Sequence, residues 1–234
     1  MTTQASTKIF QFTNEQILAR ARSCPGDLVK YRLKYPNGGS DPSKPKPYGV
    51  LEVGETKIDV CDCIGFALWA TGIARRFTGN ATIPPFPDTP SITGSYINCS
   101  SLVEEARGFK RRQGQAPYVG GRFFTIIEKP VPGCLIVFPG ESVRKGNPPH
   151  GHIGIVSSVP TKAPPPSMYP PTGVDWYIEA DTRNKPAGLR VIHCSSSNYK
   201  VTGKAVRETH AVPWRGRGAI FAKLNPELFT RGVA

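Results

Sequence analysis

Cys63 stands in the run Asp62-Cys63-Ile64-Gly65-Phe66-Ala67-Leu68-Trp69, and far downstream His152 opens the run His152-Ile153-Gly154-Ile155-Val156. A thiol is a nucleophile only as its thiolate, and an imidazole titrating near neutrality can take its proton and later return one to a leaving amine. A cysteine followed by a distant histidine is therefore the minimum equipment of a thiol hydrolase. Such a base needs a third group to hold its ring and tautomer. His193 is the first choice: in the stretch Leu189 to Ser195 it is in phase with Leu189 and Val191, so it points into an otherwise apolar face. A satisfied core histidine would show the same pattern, and Glu179, Asp181 and Asn198 are the other polar candidates, since a carboxylate or amide serves equally well.

The elements that must position these groups follow from the flanking residues. Asp62 is suited to cap a helix that Cys63 begins, and the unpaired N–H groups there would favour a thiolate and hold the oxyanion of a tetrahedral intermediate. Gly65 would leave room for substrate. The plainer alternative is a small buried cysteine at the head of a core helix; Cys61, the internal competitor, precedes the cap and so lies outside the dipole's favoured position. Phe66, Ala70, Ile73 and Phe77 recur at helical intervals, with Arg75 and Arg76 in the last turn and Gly79 beyond them, which predicts a helix running that far and buried along one stripe. His152, Gly154 and Val156 share one strand face and Ile153 and Ile155 the other; Gly151 and Gly154 suit close packing of the thiol-bearing helix. His150 is a substitute base better explained as an exposed loop histidine, and His210 falls in a stretch too irregular to place. A permuted arrangement with Cys194 as nucleophile is disfavoured because Ser195 to Asn198 does not begin a convincing helix.

Elsewhere, Thr13 and Gln16 form a capping-box pattern ahead of a helix over 14–23, and Leu102, Val103 and Ala106 suggest a third helix over 100–108. From residue 122 the texture turns β-branched, with runs at 123–127, 135–138, 153–159, 176–180, 189–194 and 219–224. N-terminal helices packed on an antiparallel sheet make the class α+β. The 234 residues suit one domain, 1–234, with loop insertions near 32–48, which carries Lys44 and Lys46, and near 160–174, a prolyl excursion or flap. Thirty Lys and Arg against 17 Asp and Glu give a formal charge of +13, a field suited to nucleic acid, anionic lipid or anionic wall polymer. Basic residues spread from Lys8 to Arg231 without a single stripe or nucleic-acid motif, so nucleic acid is the weaker partner. No apolar run approaches the roughly 20 residues of a membrane span, and the opening residues lack the apolar core of a secretory signal. The expectation is a chain made in the cytoplasm. Six scattered cysteines point to reduced thiols rather than a disulfide framework, and neither Cys61-x-Cys63 nor His150-x-His152 has the spacing of a zinc site, so no structural metal is expected.

Four motifs in order resemble the NlpC-type cell-wall peptidases, a papain-like superfamily bordering the CHAP amidases. The family's Asp-Cys-Ser-Gly is similar to Asp62-Cys63-Ile64-Gly65, its His-Val-Gly-Ile-Tyr to His152-Ile153-Gly154-Ile155-Val156, its Ile-His-Ala-Ser-Ser to Ile192-His193-Cys194-Ser195-Ser196, and its Pro-Gly-Asp-Leu-Val-Phe-Phe to Pro132-Gly133-Cys134-Leu135-Ile136-Val137-Phe138. The resemblance spans roughly residues 45–200. Ile64 and Cys134 stand where the family has serine and aspartate, and 41 residues separate His152 from His193 where it has a short hairpin. By this similarity Cys63 is nucleophile, His152 base and His193 the orienting residue, and Tyr48 corresponds to a tyrosine used near the oxyanion.

The resemblance implies a papain-like fold that hydrolyses an amide bond of the peptidoglycan stem peptide, commonly between D-glutamate and diaminopimelate, through a thioester and without cofactor. Such an enzyme must reach the periplasm or wall by another route, as an antibacterial effector with a cognate immunity protein or as a phage lysin. The rival expectations are an acyltransferase or deamidating toxin on the same scaffold, and a basic nucleic-acid-binding domain.

Overall fold

Helix α1, Asn14–Ser23, starts where Thr13 and Gln16 satisfy each other's backbone: the Gln16 N–H donates to the Thr13 hydroxyl at 3.2 Å and the Thr13 N–H to the Gln16 side-chain oxygen at 2.9 Å. The computed structural model in which this helix is seen describes residues 13–24, 26, 30–31, 49–53, 56–76, 91–93, 124–138, 151–160, 189–211, 214 and 219–224. The expected helix over 100–108, the strand over 176–180, the loop over 32–48 and all but Pro160 of the segment 160–174 lie outside the described residues.

Strand β1 (Lys30–Tyr31) runs parallel to β3 (Thr56–Cys61), which also pairs antiparallel with β2 (Gly49–Val53). Asp62 then turns the chain into helix α2, Cys63–Ala70. After it β4 (Ala74–Arg76) pairs in parallel with β5 (Ser91–Thr93). The main sheet follows: β6 (Phe124–Ile127), β7 (Leu135–Phe138), β8 (His152–Ser158), β9 (Arg190–Cys194), β10 (Val206–His210) and β11 (Ile220–Leu224), with helix α3 (Ser196–Thr202) between β9 and β10. Its six strands are all antiparallel, in the order β10-β9-β8-β7-β11-β6. Among the described residues, α1 and α2 precede an antiparallel sheet, which makes the class α+β.

Strand alternation sorts the sheet's side chains into two cores. Leu135, Val137, Ile153, Ile155, Ile192, Cys194 and Ala222 join Ile17 and Ala21 of α1 and the whole of α2 on one face. Ile136, Val156, Val191 and Phe221 meet Leu189, Ala211 and Trp214 on the other. The two helices are tied together by the Arg20 guanidinium, 4.3 Å above the Trp69 ring.

Helix α2 departs from expectation in two ways. It is buried on all eight residues rather than along one stripe, and it stops at Ala70 instead of continuing past Phe77. Gly72, at φ 76, supplies the left-handed residue of a Schellman motif: its N–H reaches the Trp69 carbonyl at 3.2 Å and the Ile73 N–H the Leu68 carbonyl at 2.9 Å. Thr71 reinforces the stop by donating its hydroxyl back to Ala67 and Leu68, each at 3.0 Å. Ile73 keeps its helical-phase burial because the motif folds it back, so periodicity ran through a true terminus. Strands β1 to β5 and β10 and helix α3 were not anticipated. Ser195 does cap a helix, accepting the Asn198 N–H at 3.1 Å, contrary to the expectation for that segment.

The β6–β7 connection has the form of a type II turn, with Pro132 and Gly133 central and the Cys134 N–H bonded to the Val131 carbonyl at 3.0 Å. Gly133 lies at φ 87 with its Cα against the Asn14 backbone, so an added methyl would collide with α1. Gly133→Ala should therefore cost about 1–3 kcal/mol from the backbone strain alone, with the collision added; an unchanged urea midpoint would contradict this.

Candidate functional site

Asp62, extended at φ −111 and ψ 175, accepts the Gly65 N–H on its carboxylate at 2.6 Å and so fixes the first turn of α2. Cys63 is the first residue of that helix and is buried, 6% exposed. The Cys194 thiol reaches the Cys61 carbonyl at 3.6 Å, which ties the approach to α2 to the end of β9. Ile155 faces Ile192 across the β8–β9 pair, so two residues further along Ile153 comes level with Cys194. The head of α2 therefore sits at the end of the sheet where β8 begins and β9 finishes, which is where His152 and His193 are placed.

The two histidines meet directly: His152 Nε2 lies 2.9 Å from His193 Nδ1, with the rings edge to face at 87°. Trp214 packs on both, at 5.3 Å from the His152 ring and 4.9 Å from that of His193. His193 Nε2 lies 2.9 Å from the Thr209 hydroxyl on the neighbouring strand. Asn198 donates from Nδ2 to the His193 carbonyl at 3.1 Å and to Ala205 at 3.2 Å, and lies 3.5 Å from His193 Nε2. Of the polar candidates named from the sequence, His193 contacts His152 directly, and Asn198 bonds to the His193 backbone.

Alternation adds a constraint. Ile153 and Cys194 belong to the core that contains α2, whereas His152 and His193 turn to the Trp214 face. Thiol and imidazoles thus lie toward the same end of the β8–β9 pair, on its two faces. Gly154 does not serve the helix, as expected, but the neighbouring strand: a methyl there would strike Val191 Cγ1 and come within 3.2 Å of His193 Cβ. Its lack of a side chain lets β9 hold His193 beside His152.

Burial sets the charge states. His193 is pushed down to about 3, first by desolvation and then by the charges of His152 and Arg207, so it is neutral across the physiological range. The Cys194 thiol is pushed up, chiefly by burial and further by Cys61, Cys63 and Asp62, and Cys134 is pushed up to about 12 by burial; Cys24 moves the same way. These three thiols are therefore protonated and poor nucleophiles, which tells against Cys194 in that role.

Of the remaining candidates, Tyr48, His150, Glu179 and Asp181 lie outside the described residues. His210 ends β10 beside Arg190, 3.4 Å from its guanidinium, on the face away from the histidine pair. Among the described residues no group of three His, Cys, Asp or Glu is placed to hold a metal, and no helix is long and apolar enough to cross a membrane. Thr209 and Trp214 were not anticipated from the sequence. Thr209 lies in Val-Arg-Glu-Thr-His, which has no apolar alternation to mark a strand, and Trp214 follows a proline in a segment without periodicity. Comparison with protein-family models, with curated proteins and with solved structures found no match.

The buried neutral imidazole makes stability depend on pH. Unfolded, His193 titrates near its ordinary 6.5; folded, it does so at about 3. Between these values the unfolded chain binds more protons, so stability rises with pH through the window and is withdrawn as pH falls through it. From pH 7 to pH 4 the wild type should lose more stability than His193→Gln, by on the order of a few kcal/mol. Urea midpoints at the two pH values check this, and equal losses would contradict it.

Proposed function

We propose that the protein is a papain-like cysteine amidase of the NlpC type that cleaves an amide bond in the peptidoglycan stem peptide. The observation that carries the proposal is the hydrogen-bonded His152–His193 pair, with His193 held neutral, at the sheet end where an aspartate-capped helix begins with Cys63. A neutral His193 can accept at Nδ1 from His152 Nε2–H, and the nitrogen of His152 left to exchange a proton with the thiol is then Nδ1. An ionised His193 would instead repel the imidazolium that catalysis requires.

In this scheme His152 takes the Cys63 proton and the thiolate attacks the substrate carbonyl. The N–H groups that open α2 stabilise the oxyanion, as in other sites built on a helix start. Collapse of the tetrahedral adduct transfers the proton from His152 to the leaving amine and leaves a thioester on Cys63. Water, deprotonated by the same imidazole, releases the acid. The amide next to D-glutamate and diaminopimelate is the substrate the motif resemblance favours, and the net charge of +13 suits adsorption to an anionic wall. Delivery as an antibacterial effector checked by an immunity protein, or as a phage lysin, would bring the enzyme to that substrate.

Wild-type protein incubated with purified Gram-negative peptidoglycan should release soluble fragments with new peptide termini, identified by mass spectrometry, and Cys63→Ala should release none. Fragment release that persists in folded Cys63→Ala, or no release by wild type from several wall chemotypes, would overturn the proposal. Capture of the acyl group by an added amine rather than water would move the assignment to an acyltransferase. Binding to nucleic acid that survives Cys63→Ala and weakens steeply with salt would move it to a basic binding domain.

A further inference from the structure

We infer that Thr209 is a positioning residue that fixes the direction of every proton in the histidine pair. The Asn198 amide has two hydrogens, and both have carbonyl partners, His193 at 3.1 Å and Ala205 at 3.2 Å; its 3.5 Å approach to His193 Nε2 is left without a hydrogen of its own. The Thr209 hydroxyl has one hydrogen, and the His210 carbonyl, which can only accept, lies 3.2 Å from it. With that hydrogen directed to His210, the hydroxyl oxygen presents a lone pair to His193 Nε2 at 2.9 Å. In that arrangement Nε2 carries the His193 hydrogen.

The consequence runs along the pair. His193 Nδ1 is bare and accepts at 2.9 Å, so His152 must donate from Nε2. Neutral His152 then has its lone pair on Nδ1, the tautomer in which it serves as a base toward Cys63. Arg207, opposite His193 in the β9–β10 register and on the same face as Thr209, disfavours a second proton on His193, and the packed Trp214 ring offers its neighbours no acceptor for one. The order His152 Nε2–H to His193 Nδ1, His193 Nε2–H to Thr209, Thr209 O–H to His210 carbonyl is set from its far end by one hydroxyl. Without it His193 is free to carry its hydrogen on Nδ1, donate to His152 Nε2, and leave His152 with its hydrogen on the nitrogen that should be basic.

The catalytic meaning of this arrangement rests on the amidase proposal, but the tautomer does not, and it is the quantity to measure. Long-range proton–nitrogen spectra of histidine-labelled protein between pH 5 and 8 give the tautomer of each of the four histidines, assigned through single His→Gln variants. The expected result is a neutral His193 protonated at Nε2 in the wild type, a shift toward Nδ1 protonation in Thr209→Val, and restoration in Thr209→Ser. His193 protonated at Nδ1 in the wild type overturns the inference, and that arm needs no variant to fold; an unchanged tautomer in folded Thr209→Val overturns it as well. If the amidase activity is present, Thr209→Val should lower kcat about 10- to 100-fold with KM unchanged, short of the full contribution of a general base, and Thr209→Ser should recover it. The predicted tautomers without peptidoglycan cleavage would sink the amidase proposal and leave the relay standing; cleavage with the opposite tautomer would do the reverse.

Discussion

Everything in the proposed site depends on one packing constraint, the complete burial of α2 between α1 and the main sheet. Phe66, Leu68 and Trp69 are each buried to within 1% of their surface, and fully burying a side chain of that size is favoured by about 1.5–3 kcal/mol relative to leaving it exposed. A helix so enclosed has no freedom to slide or roll, because interiors pack as densely as organic crystals. Asp62 and the Schellman stop at Gly72 fix its two ends, so Cys63 is delivered to a defined place at the sheet's end. The thiol's position is a product of the hydrophobic core.

The opposite face of the sheet solves a different problem. Two imidazoles are polar groups in a largely apolar layer, and they are tolerated because they bond to each other and the Thr209 hydroxyl meets the second nitrogen of His193. Desolvation then keeps His193 neutral, and neutrality is what allows it to accept from His152 rather than repel it. Trp214 closes the layer over both rings, and Gly154 removes the one methyl that would push β9 away. Structural burial and the chemistry proposed here require the same arrangement, which is why stability and protonation are linked at this residue.

The placement of Cys63, His152 and His193 was legible in the sequence because each sits in a short, regular context. Cys63 follows a capping aspartate, His152 begins an alternating apolar strand, and the phase of His193 with Leu189 and Val191 predicted the face it occupies. The capping box on α1 was legible for the same reason: its signal is local. What escaped needed information from across the fold. The end of α2 was hidden because Ile73 stays buried in helical phase after the Schellman turn. Strand β10 was hidden because Arg207, Glu208 and His210 carry no apolar signal; it is recruited as an edge by pairing with β9 and by the Arg190–Glu208 ion pair. Thr209 inherits its role from that pairing, and no property of a lone threonine announces it.

The central claim is that Cys63 and His152 form an acid–base pair across the end of the β8–β9 ladder. The measurement that tests it most directly is the rate of alkylation of each cysteine by iodoacetamide at pH 6, resolved by peptide mass spectrometry in the folded wild type and in His152→Gln. Cys63 should react well ahead of Cys24, Cys134 and Cys194 in the wild type and lose that lead when His152 is replaced. A Cys63 no faster than the buried thiols, or one whose rate ignores His152, would contradict it.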